Sequence, residues 1–156
     1  LSITANISLP SLPRYLNAMG IVKRGAEREA AERFRERLRI RAPSVDTPAS
    51  SLSGGNQQKV VLSKWLETRP KVLILDEPTR GIDVGAKSEI YRLLNDLARQ
   101  GKAIIMISSE LPEILRMSHR ILVMCEGRIT GELTAAEATQ ERIMTFATQR
   151  EAVAAA

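Results

Sequence analysis

Two groups of residues have types and spacing that suit chemistry: Ser53-Gly54-Gly55, running on into Asn56 and Gln57, and the pair Asp76-Glu77. Successive glycines let backbone N–H groups approach a ligand with no Cβ in the way. They stand where a helix begins, and the unpaired N–H groups and positive dipole end of a helix attract phosphate. The Ser53 hydroxyl adds one more hydrogen-bonding group. By itself the triplet is weak, because Ser-Gly-Gly also makes linkers and ordinary helix caps. Asp76-Glu77 follows the apolar run Val72-Leu73-Ile74-Leu75, which reads as a strand. Ligand-binding groups of open α/β sheets collect at the carboxyl ends of strands. Asp76 is placed to hold Mg²⁺, directly or through water. Glu77 is placed to take a proton from an attacking water. Two solvated carboxylates ending a strand are the plain alternative, made less favourable by the sharp exit that Pro78-Thr79 imposes. For Asp83, in Gly81-Ile82-Asp83, capping of the next helix and contact across a dimer interface stay equally open.

The elements that must position these groups follow from periodicity and breakers. Residues 1–19 are apolar, interrupted by Pro10 and Pro13, and read as a short helix or irregular lead-in with a turn near Gly20. A charged helix spans 24–41, with Glu29/Arg33 and Glu36/Arg39 spaced for same-face pairing and Phe34 and Leu38 as a narrow apolar stripe. A loop covers 42–51. The spacing predicts a helix over 55–67, carrying Val61/Trp65 and Leu62/Leu66, with Pro70 ending that segment. Residues 72–75 and 103–107 read as strands covered on both faces. Between them lies a helix over 84–100, with Ile90, Leu93, Leu94 and Leu97 inward and Gly101 as its stop. A short helix begins near Pro112, a third strand runs over 121–125, and Glu126-Gly127 turns into an edge strand over 128–132. Thr134 and Glu137 spell a capping box for a last helix reaching about 148, before a frayed tail over 152–156. Strand, helix, strand, helix, strand is a βαβ series and implies a parallel sheet. The domain reading is a helical subdomain portion at 1–51, a signature helix and α/β core half at 52–133, and a C-terminal helix and tail at 134–156.

Bulk properties narrow the class. The chain of 156 residues is 44% hydrophobic and 26% charged, ordinary for a globular domain. No apolar run approaches the roughly 18 residues that cross a bilayer. The net charge of +5 raises nucleic acid or an anionic membrane surface as a partner, but the basic residues are interleaved with acidic ones, and an aromatic content of 3% is poor for base stacking, so no nucleic acid is expected. The single cysteine, Cys125, sits in an apolar strand and reads as a core residue. His119 reads as a surface histidine.

Combined and in this order, the motifs resemble the ATP-binding cassette (ABC) ATPase family. Residues 52–57 look like its signature motif, 72–77 like the Walker B strand with its catalytic glutamate, and 81–83 like the D-loop. The runs Gly-Gly-Asn-Gln-Gln-Lys-Val, Asp-Glu-Pro-Thr-Arg-Gly-Ile-Asp-Val-Gly-Ala-Lys and Ile-Ser-Ser-Glu-Leu-Pro-Glu are closer still to the second cassette of ribose-, galactose- and xylose-type sugar importers. The resemblance implies an α/β fold: a partial P-loop NTPase core with parallel strands and flanking helices, preceded by a helical subdomain. It implies ATP and Mg²⁺ as cofactors, with Glu77 catalytic, Asp76 at the metal, and Ser53, Gly54, Gly55, Asn56, Gln57, Asp83 and Ser109 at the nucleotide. It further implies a second cassette, fused or dimeric, a transmembrane sugar permease, and indirectly a periplasmic sugar-binding protein. The expected location is the cytoplasmic face of the bacterial inner membrane.

Three departures shape the expectation. No Gly-x-x-x-x-Gly-Lys-Ser/Thr loop occurs in the 156 residues, so the chain is expected to be a C-terminal portion of a cassette protein and inactive by itself. Ser109 stands where the family carries a histidine, so the site using Asp76 and Glu77 is expected to be slow. Asn56 replaces the usual glutamine. Alternatives from other classes are a soluble cassette ATPase of translation or DNA repair, and a degenerate, non-catalytic cassette. Arg80-Gly81-Ile82-Asp83 after Glu-Pro-Thr differs from the Asn-His-Leu-Asp of the translation group.

Overall fold

The computed structural model describes residues 1–149; the tail expected over 152–156 lies outside them. It divides into two compact units, Leu1–Ile107 and Ser108 onward.

In the first unit, α1 (Ile3–Ser8) is capped by Ser2, whose side chain accepts from the Ala5 amide at 3.1 Å. Pro10 and Pro13 lack the N–H an α-helix needs, and residues Leu9–Tyr15 tighten into a kinked 3₁₀ segment. The expected turn forms at Gly20, which takes φ +76°. The charged helix α2 (Arg24–Arg37) stops short of the expected residue 41. Arg39 adopts φ +50°, and the Ile40 amide bonds back to the Arg35 carbonyl at 2.8 Å, so a Schellman-type end closes the helix without glycine. Arg33 and Glu29 pair at 3.1 Å as their spacing requires, whereas Arg39 has left the helix. Ala30, Ala31 and Phe34 are buried on α2, and α1 packs its buried Ile3 and Ile7 between α2 and α3.

Helix α3 (Gly54–Leu66) buries Val60, Leu62 and Leu66. Val61 and Trp65, a second apolar pair in sequence, face outward at 44% and 48% exposure, with the Lys64 ammonium over the indole. Beyond Pro70, β1 (Val72–Asp76) pairs in parallel with β2 (Ala103–Ile107), register Val72↔Ala103 to Asp76↔Ile107. The connecting helix α4 (Val84–Arg99) buries Ile90, Tyr91, Leu94 and Leu97 and packs on β2. It ends in a Schellman motif at Gly101, φ +83°, with Lys102 N–H on the Leu97 carbonyl and Gly101 N–H on that of Ala98. The strands are covered on one face only, not two: Leu73 and Leu75 are buried, while Val72, Ile74, Ile105 and Ile107 are at least half exposed.

The second unit holds α5 (Leu111–Met117), β3 (Arg120–Cys125), β4 (Arg128–Thr134) and α6 (Gln140–Ala147). The expected third parallel strand instead pairs antiparallel with β4. The reason is local: Glu126 and Gly127 take φ +50° and +78°, the two-residue turn whose twist suits a hairpin. Thr134 and Glu137 do bond, since the Glu137 carboxylate accepts from the Thr134 amide and hydroxyl at 3.0 and 2.6 Å. They make a turn rather than a helix start. Helix α6 begins six residues later, capped by Thr139, whose side chain accepts from Arg142 N–H. Ile121, Val123, Leu133 and Ile143 form this unit's core. Cys125 is half-buried, and His119 is exposed.

Phe146 lies flat over Gly131: a Cβ there would meet the ring Cγ at 2.4 Å. Gly131→Ala is therefore expected to lower stability by about 1–3 kcal/mol, read from urea midpoints. The penalty should shrink in a Phe146→Ala background, where the ring is gone.

Candidate functional site

The first unit brings the Ser53 turn and the Asp83 turn together. Gly55 is buried, and a Cβ built on it would meet the Ala86 Cβ at 2.7 Å and Ile82 Cγ2 at 3.4 Å. One on Gly54 would lie 3.7 Å from the Gly81 carbonyl. Gly55 thus serves packing as well as backbone exposure, whereas a Cβ on Gly54 would make only an ordinary contact. With Gly55 so placed the α3 N-terminus lies against the α4 N-terminus, and a cleft of about 270 Å³ opens beside both. Ser53, Gly55, Asn56, Asp83, Arg41 and Glu89 line it.

Ser53 is the N-cap of α3, but its side chain does not cap the helix; its Oγ accepts from Asn56 Nδ2 at 2.9 Å. Asn56 Oδ1 accepts from the Arg41 amide at 2.8 Å. Gln57 turns its amide onto the Leu52 carbonyl at 2.8 Å and is not among the cleft residues. Asp83 caps α4 through the Ala86 amide at 2.9 Å, so the capping half of its two readings is realised.

Asp76 and Glu77 end β1. Asp76 is exposed and pairs across from Ile107. Glu77 takes φ +45°, and its amide donates to the Ile107 carbonyl at 2.9 Å, as if continuing the ladder. Left-handed backbone in a non-glycine residue costs on the order of 1–3 kcal/mol and concentrates at functional positions. Pro78 and Thr79, both buried, hold the exit. Among the described residues no group of three His, Cys, Asp or Glu side chains converges to hold a metal. Ser109 belongs to the second unit, exposed just before α5.

The sequence reading missed Lys59 and Glu89. The Lys59 side chain is 6% exposed, and its ammonium donates to Glu89 Oε2 at 2.5 Å and to the Arg39 carbonyl at 3.1 Å. It thereby ties α3 to α4 and to the end of α2. Its signal was available: residue 59 is one helical turn beyond Gly55, on the face that packs. The hydrogen bond from Lys59 holds the Glu89 carboxyl below the ordinary glutamate range.

Two outcomes follow. Gly55→Ala is expected to cost about 1–3 kcal/mol, with Ala86→Gly restoring part of it; recovery in the double variant would identify packing rather than ligand contact as the cause. Because the Glu89 pKa is lowered on folding, its contribution is present above the unfolded value of about 4.3 and is lost as pH falls through the folded one. Urea midpoints followed from about pH 6 to pH 3 should fall less steeply for Glu89→Gln than for the parent chain.

A family profile described as ABC transporter matches residues 4–80. The chain is 62% identical over 148 residues to a xylose import ATP-binding protein of Moorella thermoacetica, covering 95% of this chain and 29% of that protein. It is 59% identical over 147 residues to a ribose import ATP-binding protein of Bacillus subtilis, covering 94% and 30%. The chain thus spans about 30% of the length of these relatives. In fold it matches an ATP-binding cassette of an ABC transporter with a TM-score of 0.76 at 22% identity, covering 94% of this chain and 62% of that one. It also matches a dimeric post-hydrolysis cassette bound to ADP and phosphate with a TM-score of 0.72 at 24% identity, covering 86% and 57%. The glycine turn and the aspartate-capped helix share one cleft, and over residues 4–80 the chain resembles the ABC transporter family.

Proposed function

We propose that this chain is the C-terminal part of the ATP-binding subunit of a bacterial monosaccharide importer, an ATP hydrolase that drives transport. The observation that carries the reading is the α3 N-terminus: its first turn is not capped by Ser53, and it stands at an open cleft beside Asp83. Uncapped helix N–H groups fit a phosphoryl group. Identity near 60% to sugar import ATP-binding proteins supports the substrate class.

In this reading Ser53, Gly54 and Gly55 present donors to the terminal phosphate of an ATP whose other phosphates rest on a second cassette, fused or dimeric, with Asn56 and Gln57 behind them. Asp83 joins the same interface. The weaker composite site uses Asp76, Glu77 and Ser109. Asp76 would hold Mg²⁺ together with nucleotide oxygens, as one carboxylate suffices where phosphates supply the other ligands; the ion would neutralise charge on the phosphates. Glu77 accepts the proton of the attacking water. Ser109 carries no positive charge, so it stabilises the transferring group less than an imidazole would. The 156 residues contain no phosphate-binding loop, and by themselves they bind ATP weakly. Among the described residues no helix is long and apolar enough to cross a membrane; a peripheral position on the cytoplasmic face, docked to a transmembrane permease and served through it by a sugar-binding protein, fits the importer reading.

The asymmetry is testable in the full-length subunit. Ser53→Arg fills the phosphate turn and should abolish most ATPase turnover, while Glu77→Gln, in the slower site, should cost less. Equal losses would remove the asymmetric assignment, and wild-type turnover in both would remove the functional one.

A further inference from the structure

An N-cap serine ordinarily accepts a hydrogen bond from its own helix, which uses up one of the first-turn N–H groups. Ser53 does not, although its backbone, at φ −60° and ψ 153°, suits the task. Asn56 Nδ2 donates to Ser53 Oγ in place of the helix amide. The polarity of that contact is dictated from the other end of the Asn56 side chain. The Arg41 backbone nitrogen is a donor only, and it lies 2.8 Å from Oδ1. The opposite end of the amide must then be the NH₂, and Ser53 must accept. A hydroxyl has one proton and two lone pairs; with a lone pair engaged by Asn56, its proton remains to be given elsewhere.

Arg41 is itself held. The Ile40 amide bonds to the Arg35 carbonyl, Ile40 is buried, and Lys59 donates to the Arg39 carbonyl. Two hydrogen bonds of one direction thus lead from the held Arg41 amide through Asn56 to Ser53.

We propose that Asn56 is a positioning residue that does not touch the nucleotide: it aims the Ser53 hydroxyl proton outward, toward a terminal phosphoryl oxygen, and spares the first-turn N–H groups of α3 for the same oxygen. The proposal rests on the phosphate-binding reading of Ser53 given above. It explains how asparagine serves at this position: the amide spans from the Arg41 N–H to Ser53 Oγ with both ends engaged. Donors aimed at an anionic oxygen form the stronger class of hydrogen bond.

Two measurements test it. In the nucleotide-free chain, side-chain amide NMR of Asn56 should show its Nδ2 protons shifting in Ser53→Ala while the Arg41 amide stays in place; unmoved Nδ2 protons would overturn the contact. In the full-length subunit, Ser53→Ala and Asn56→Ala should each weaken ATP binding, measured by titration without turnover, by about tenfold. The double variant should be no weaker than the worse single, because both remove one donor. Losses that multiply to about a hundredfold would mean independent contacts and overturn the positioning role alone. A silent Ser53→Ala would overturn the reading of Ser53 and this proposal with it, and a silent Asn56→Ala would overturn only the proposal.

Discussion

The closeness of two helix N-termini governs the first unit. Helix α3 begins within contact distance of α4 because residue 55 has no Cβ to collide with Ala86. That approach sets Ser53 and Asp83 on the walls of one cleft. It also brings two positive dipole ends together, which is unfavourable unless negative charge lies nearby. Asp83 at the α4 cap supplies it. The same glycine that exposes backbone to an anion thus also sets the spacing of the helices that frame the anion.

Lys59 secures the arrangement. Removing an ammonium from water is costly, and a buried ion pair returns that cost only with good geometry and further hydrogen bonds. Here the ammonium has a carboxylate on α4 and a main-chain carbonyl at the end of α2. Such a group adds little net stability against an apolar isostere; here one ammonium joins α3, α4 and the segment ending α2. The left-handed Arg39 matters for the same reason, since it ends α2 where its carbonyl reaches Lys59 and where the Arg41 amide reaches Asn56.

Much of this was legible in sequence. The breakers Pro70 and Gly101 and the two apolar strands all lie where propensity and spacing put them, because each depends on a few neighbouring residues. Other features escaped. A run such as Val72-Leu73-Ile74-Leu75 looks the same whether one face or two is covered, and the structure covers one. Val61 and Trp65 share the spacing of Leu62 and Leu66, yet only the second pair is buried. Thr134 and Glu137 satisfy the capping-box rule and make the expected bonds, but the chain has just left β4 and does not turn helical until Thr139. The 121–125 strand pairs antiparallel because the Glu126-Gly127 turn returns the chain at once.

What the sequence determined by itself is the local chemistry: a glycine turn opening a helix and two carboxylates ending a strand. These are matters of φ/ψ freedom and of bonds spanning three or four residues. Only tertiary structure decided that Gly55 is needed for packing, that Lys59 is buried against Glu89, and that Asn56 joins Arg41 to Ser53. Those depend on residues 15 to 31 positions apart meeting in space, and no local pattern encodes a distance of 2.7 Å between two Cβ positions on different helices.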